Sequence, residues 1–369
     1  MKIVIFGLTI SSSWGNGHAT LWRGLVRALA KRGHRIVFFE KDVPYYASNR
    51  DFFEIPGGDL IFYQDWNDIR QRAATELIDA DVAMVTSYCP DGIAASELLL
   101  DAPRPLHVFY DLDTPITFSR LEAGEPITYI GPWGLRDFDL ALSYTGGRAL
   151  DRLRSELGAR RIAPLYGHVD PDVHHPVQPA DHYMSDLSYL GTYAEDRQIA
   201  LQRLFIDPAG LRPKHHFLIG GAQYPADFPW QPNISFVRHL PPPEHPAFFS
   251  SSRLTLNITR QAMAEMGWCP SGRLFEAAAC GTSILSDNWE GLDSFFEPGQ
   301  EILIAETCEN TVSALDLTDA ELKRIARAGR ERVLAEHTSE HRARELEILL
   351  EGASSVTSST GGSAAMMEA

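Results

Sequence analysis

One rhythm constrains this chain more than anything else in it: short apolar runs alternate with amphipathic helical segments, and the pattern occurs twice. The runs "KIVIFG" (2–7), "RIVFFE" (35–40), "DVAMVTS" (81–87) and "LHVFYD" (106–111) read as strands buried on both faces. Between the first two lies "GHATLWRGLVRALAKRGH", where Leu21, Leu25, Ala28 and Leu29 share one helical face and Gly33 stands where a helix C-cap belongs. Strand, helix, strand in this order is a βαβ unit, and its repetition predicts a parallel sheet covered by helices on both faces. Prolines, His and Asp break the rhythm around residues 163–180, "APLYGHVDPDVHHPVQPAD", which reads as a connection between domains. The alternation then restarts with "LSYLG" (187–191), "HFLIGG" (216–221), "ISFVRHL" (234–240), "RLTLNIT" (253–259) and "SILSD" (283–287). Helical segments over 318–335 and 338–351 follow, then a Ser/Gly/Ala tail with nothing to bury, expected to be mobile.

The predicted architecture is α/β, with two Rossmann-like doubly wound domains facing a central cleft, at residues 1–165 and 166–337. A length of 369 residues exceeds what one core usually serves. Lys and Arg total 33 against 49 Asp and Glu, a net charge of −16 that argues against a nucleic-acid partner. An anionic ligand must therefore be held by local Arg groups or helix N-termini. The four cysteines show no CxxC spacing, which argues against zinc and disulfides and suits a reducing cytoplasm. The first apolar run is short and broken by Gly7, a buried strand rather than a signal peptide, and no run approaches the ~20 apolar residues of a membrane span.

The second half carries one acidic residue, Glu276, inside the nearly apolar "SGRLFEAAACG". A helix starting near Gly272, after Ser271, would aim the N–H groups of Gly272, Arg273 and Leu274 into the cleft, with the Arg273 side chain beside them. That is a ready phosphate site. Glu276 would follow on the first turn about 6 Å further along, roughly the step from a diphosphate to its ribose. A Glu favoured there by the helix dipole alone fits the local physics equally well. Arg260, just past a strand end, is a further phosphate candidate. In the first half, Gly15 and Gly17 allow a tight turn before a helix that His18 opens, and Asp111 and Asp113 stand at the end of a strand in "YDLDTP". Each is a candidate to deprotonate or hold a hydroxyl, although a helix-initiating His and a turn-forming Asp read as readily. The remaining His residues, among them His168, His174, His175, His215, His216 and His245, show no metal-ligand spacing and read as surface or linker positions.

The stretches "YLGTYAEDRQIALQRLF", "LTLNITRQAMAEMGWCPSGRLFEA" and "GLDSFFEPGQEILI" resemble the donor-binding half of GT-B glycosyltransferases, nearest to the CgeB-like branch of the group 1 class. The likeness covers most of residues 163–345; the first half matches only by its general helix pattern. The resemblance implies transfer of a sugar from a nucleoside-diphosphate sugar, the donor substrate, to a small-molecule or glycan acceptor, with no cofactor and no required metal. It assigns Glu276 to the ribose, places the loop holding Thr192, Tyr193 and Arg197 against the diphosphate, and puts the backbone near His239 where the base is read. It makes His18 a candidate base toward an acceptor hydroxyl, with Asp111 and Asp113 as alternatives. The Asp-x-Asp itself lies in the wrong domain to bridge donor phosphates through a metal. The helix 338–351, with Leu346, Ile348, Leu349 and Leu350 to cover, is expected to cross back to the first domain, leaving 352–369 as the tail. One departure stands out. Many retaining members carry a second Glu eight residues before the ribose-binding one, and here that position is Trp268. A nucleotide-sugar epimerase, or a non-catalytic envelope or spore protein on the same fold, are the rival readings.

Overall fold

Every apolar run named above folds as a strand, and every pairing between strands is parallel. The first sheet contains β1 (Lys2–Gly7), β2 (Arg35–Lys41), β3 (Asp59–Tyr63), β4 (Val82–Thr86), β5 (Leu106–Asp111), β6 (Leu140–Ser143) and β7 (Ile162–Pro164), in the order β3-β2-β1-β4-β5-β6-β7. The second contains β8 (Leu187–Leu190), β9 (Phe217–Gly221), β10 (Ile234–Arg238), β11 (Leu254–Asn257), β12 (Ser283–Ser286) and β13 (Leu303–Ile304), in the order β10-β9-β8-β11-β12-β13. The computed structural model describes residues 1–364, and their side chains as far as residue 355. It divides into two units: Met1–Tyr166 together with the segment that begins at Glu340, and Gly167–Ser339.

In both sheets the chain winds outward from a central strand in one direction, then jumps back to wind in the other. The strand order therefore reverses between β1 and β4 in the first unit, and between β8 and β11 in the second. Loops leaving the carboxyl ends on either side of such a reversal part from each other and open a crevice. β1 is buried at Ile3, Val4, Ile5 and Phe6 because helices cover both its faces. The second unit is built around Leu187, Tyr189, Phe205, Phe217, Leu254 and Leu256.

The last helix runs from Ser339 to Ala364, so residues 352–364 of the expected tail continue it. Ala343, Leu346, Leu350 and Ala353 are fully buried at roughly helical spacing, and Arg161 Nη1 donates to the Ala353 carbonyl at 2.8 Å. A small residue at 353 gives the helix one more turn of packing, which is why it does not stop at residue 351. Ile348 is 68% exposed and is not one of the covered positions. The remainder of the expected tail, 365–369, lies outside the described residues. Among the described residues no helix is long and apolar enough to cross a membrane.

Candidate functional site

In the second unit the crevice between β8 and β11 is occupied by a guanidinium. Arg273 Nη1 donates to Asn257 Oδ1, at the end of β11, at 3.0 Å, and its guanidinium carbon stands 5.1 Å from the centre of the Tyr189 ring on β8. Gly191, directly after β8, permits this approach: a Cβ there would lie 2.9 Å from both Arg273 Nη2 and the Tyr189 hydroxyl. Asn257 is itself fixed, its Nδ2 donating to Ser286 Oγ at 3.0 Å. Asp287 accepts from the Thr259 N–H (2.9 Å) and O–H (3.0 Å), and burial pushes its carboxyl above the usual range.

Arg197 comes from the loop after β8. Its Nη1 donates to the Thr192 carbonyl at 3.3 Å, while its buried Nε has no hydrogen-bond partner. Neither Arg197 nor Arg273 enters an ion pair among the described residues. Burial, with a further contribution from the like charge of Arg197, holds the Arg273 guanidinium below its ordinary value. Two half-buried cations near each other, neither in an ion pair among the described residues, are an arrangement that an anion stabilises.

The other expected phosphate residues are placed differently. Arg260 pairs with Asp196, Nε to Oδ2 at 3.0 Å, so its charge is answered within the unit. Tyr193 packs its ring against Tyr224, at 5.6 Å between centroids, and its N–H donates to the Ala222 carbonyl. His239 follows the edge strand β10 in a left-handed conformation (φ +48), with its N–H donating to the Gly221 carbonyl at 2.7 Å.

Ser271 is the extended N-cap of the helix Gly272–Ala279, without a side-chain cap. Two expectations change here. The Leu274 N–H donates to the Ser271 carbonyl at 3.0 Å and does not point outward. The helix begins at Gly272 as expected, but a turn takes only about 3.6 residues, so Glu276, the fifth residue, lies past the first turn. The macrodipole acts within the first turn, so it accounts poorly for a carboxylate in this position. Glu276 instead faces two imidazoles: Oε1 lies 3.9 Å from His174 Nε2, and Oε2 lies 3.8 Å from His245 Nδ1.

These contacts correct the assignment of His174 and His245 to surface or linker. The turn at Asp170, whose carbonyl accepts from the Val173 and His174 N–H groups, folds the His174 ring inward until only 3% of the residue is exposed. His168 is likewise buried, hydrogen-bonded through Nδ1 to Ser339 Oγ at 2.9 Å. Spacing could not have found the His174–His245–Glu276 group, since its three members come from a loop and two separate helices. Trp268, where retaining relatives would carry a second Glu, adopts φ +42 and packs over Gly291, where a Cβ would fall 2.5 Å from the indole.

The first unit carries a different centre. The loop after β1 is tied to the end of β2 by Glu40, which is fully buried and accepts from Thr9 Oγ1 (2.7 Å) and from the N–H groups of Ile10 (2.9 Å) and Ser11 (3.0 Å). Sequence reasoning missed this residue, although a Glu closing the apolar run "RIVFFE" was a signal. The loop leads to His18, first residue of the helix His18–Lys31, whose N–H donates to Asn16 Oδ1 at 3.1 Å. His18 Nε2 stands 3.2 Å from Asp113 Oδ2. Asp111 Oδ1 accepts from the Asp113 N–H and from Thr117 Oγ1, each at 3.1 Å, while its other oxygen is buried with no partner. Burial raises the Asp111 carboxyl to about 6. For His18 burial pulls downward, but Asp113 and then Asp111 outweigh it, and its pKa lies above the ordinary value. The structure thus brings all three expected residues of this unit into one group.

Residues 197–348 match a protein family described as glycosyl transferase-like, a match that includes Arg197, Arg273 and Glu276 and supports a glycosyltransferase. No curated protein matches the chain by sequence. Among solved structures, sucrose-phosphate synthase from Thermosynechococcus elongatus aligns with a TM-score of 0.68 at 14% identity, over 96% of this chain and all of that one. HepE of Anabaena in complex with UDP-glucose aligns with a TM-score of 0.67 at 12% identity, over 95% of this chain and all of the other. An alpha-glucosyltransferase in complex with UDP-glucose and DNA containing an abasic site reaches 0.69 at 13% identity, over 95% and 99% of the two chains. The fold is GT-B, two Rossmann-like doubly wound domains in one chain.

Proposed function

We propose that this protein transfers a sugar from a nucleoside-diphosphate sugar to a hydroxyl-bearing acceptor, without a required metal. The observation that carries the reading is the pair Arg197 and Arg273, half-buried at the reversal point of the second sheet with no ion-pair partner among the described residues. In this role their charge takes up the departing diphosphate, aided by the N-terminus of the helix Gly272–Ala279. Glu276, further along that helix, accepts from the ribose hydroxyls. Bound UDP-glucose in the HepE and alpha-glucosyltransferase neighbours makes that compound the first donor to try.

In the reaction the bond from the anomeric carbon to the diphosphate oxygen breaks, and a bond from that carbon to the acceptor oxygen forms. The hydroxyl proton must go to a base. His18 is suited to receive it. Its Nε2–H donates to Asp113, leaving the Nδ1 lone pair without a hydrogen-bond partner, and Asp113 stabilises the imidazolium that results. Asp111 is a positioning residue in this account, since it holds the Asp113 N–H and the Thr117 hydroxyl.

Calorimetry with UDP and UDP-glucose, followed by nucleotide release measured with and without a panel of acceptors, tests the proposal. Binding followed by acceptor-dependent release that survives EDTA is the expected result. Release of free nucleotide together with an isomerised sugar, independent of any acceptor, would make the chain an epimerase. Glu276→Ala is expected to weaken UDP binding by about 1–3 kcal/mol, the size of a lost charge-assisted hydrogen bond.

A further inference from the structure

The imidazoles beside Glu276 have no part in the proposed transfer, yet their hydrogen bonding is specific. His245 Nε2 faces the Leu240 carbonyl at 3.3 Å, and a carbonyl can only accept, so the ring proton sits on Nε2. Nδ1 is then a bare lone pair, and it points at a carboxylate oxygen 3.8 Å away. His174, only 3% exposed, has no hydrogen-bond partner at either nitrogen, and its Nε2 lies 3.9 Å from the other Glu276 oxygen. The His245 lone pair facing a carboxylate oxygen calls for a cation between them, and His174, with neither nitrogen hydrogen-bonded, is free to present a lone pair to the same point. The donor atoms of His174, His245 and Glu276 all lie within 4.8 Å of one another.

We infer that His174, His245 and Glu276 form a site for a divalent transition metal of the zinc type. Two imidazoles and one carboxylate are a common zinc donor set, with a fourth position left for water. A tetrahedral zinc ion with ligands at about 2.0–2.1 Å sets its donor atoms about 3.4 Å apart, so the three separations need close by about 0.5 Å and by no more than about 1.4 Å. The outer support is present as well: a ligating histidine characteristically donates its second N–H to a carbonyl, as His245 does to Leu240. The choice of an imidazole-rich set favours zinc, cobalt, nickel or copper over magnesium and calcium.

The consequence rests on the ribose reading of Glu276. A metal ion there takes the carboxylate that the ribose needs, so metal and nucleotide sugar exclude each other. The protein would then be a metal-independent transferase that is switched off by zinc.

Cobalt(II) titration of the full-length protein tests the site directly, because four-coordinate cobalt absorbs strongly in the visible. Binding of one equivalent with that absorption, lost in His174→Gln, His245→Gln and Glu276→Gln, is the expected outcome. Circular dichroism of each variant checks that it is folded. No visible band with the wild-type protein, the result if a proton rather than a metal answers His245, overturns the inference. So does a band that persists in the His174→Gln, His245→Gln double variant. Uridine binding, followed calorimetrically without phosphates that would chelate the metal, reads the consequence: zinc is expected to weaken it tenfold or more. If cobalt binds as described but Glu276→Gln leaves uridine affinity unchanged, the ribose reading falls and the metal site stands.

Discussion

At the turning point of the second sheet, Arg197 and Arg273 stand without a carboxylate; near that of the first, His18 stands beside two, Asp113 and Asp111. Both places arise from the same parallel topology, in which strand order reverses and loops part. The sheet supplies a crevice and says nothing about its charge. The charge comes from which residues follow the strands: Gly191 and Arg197 after β8, "DLD" at the end of β5, and His18 beyond β1. One unit is arranged to hold an anion, the other to move a proton. Function in such a chain is therefore written in the few residues past each strand end.

The largest effect that would sharpen this contrast is expected at His18. His18→Ala should lower kcat by about 10²–10⁴-fold, the usual contribution of a positioned base, while calorimetric affinity for UDP stays as in the wild type. Because the His18 pKa is raised, its basic form fills only above the ordinary imidazole value, so the rate should climb with pH through an inflection above about 6.5. Asp113→Asn should move that inflection downward. Full activity in His18→Ala would break the division of labour between the units.

Arg273 comes next. Arg273→Met should weaken UDP binding by about 1.5–3 kcal/mol, whereas Arg260→Met, whose partner Asp196 already answers its charge, should cost clearly less. Arg273→Lys keeps the charge but loses the fork that spans Asn257 and the Tyr189 ring, and should fall between. Equal losses for Arg260 and Arg273 would show that the crevice does not discriminate between paired and unpaired guanidiniums.

Much of this was legible in the sequence, and the rest was hidden for physical reasons. The strands buried on both faces announced themselves as continuous apolar runs. β7 and β13 did not, because three and two residues are too short to show any period. β3, "DLIFY", is only half-buried near the sheet's edge and lacks the apolar density of its neighbours. His18, Asp111 and Asp113 could be named because they follow strands whose carboxyl ends converge. Arg260 could be named on the same argument, but local sequence does not show that Asp196 reaches it. His174 and His245 were invisible as a pair, since only the folding of the 170–174 turn brings a loop imidazole against the helix that holds Glu276.

A smaller effect concerns Asp111. Its folded pKa of about 6 lies above the ordinary carboxylate value near 3.9, so the folded protein holds this proton more tightly than the unfolded chain. The stability from neutral Asp111 is fully present below the unfolded value and is lost as pH rises through about 6. Asp111→Asn cannot ionise, so it should be more stable than the wild type at pH 8, by at most about 2–3 kcal/mol, and little different at pH 4. Melting curves at the two pH values check this. A lower melting temperature for Asp111→Asn at pH 8 would mean that the carboxylate's hydrogen bonds to Asp113 and Thr117 outweigh its burial.

The smallest effect tests a second difference between the units. Gly167–Ser339 is one uninterrupted segment, whereas the first unit is completed by the chain from Glu340 onward. That final helix is held by the buried stripe Ala343, Leu346, Leu350 and Ala353, and at its flank by charge. Arg32 Nε donates to Glu347 Oε1 at 2.9 Å, its Nη1 reaches Glu340, and His34 Nε2 meets Glu347 Oε1 at 2.6 Å. Hydrogen bonding from Arg32 first, and then from His34, holds the Glu347 carboxyl far below its usual range. A depressed carboxylate contributes stability that is fully present above its unfolded value, near 4.3, and is lost as pH falls through the folded one. Glu347→Gln should therefore lower Tm by roughly 1–3 °C at pH 7, as befits a partly exposed ion pair, and the gap should close as the pH is lowered toward about 2. UDP affinity should be unaffected, because the anion crevice lies wholly in the uninterrupted unit. A variant that melts like the wild type at pH 7 would assign the attachment of the helix to its apolar stripe alone.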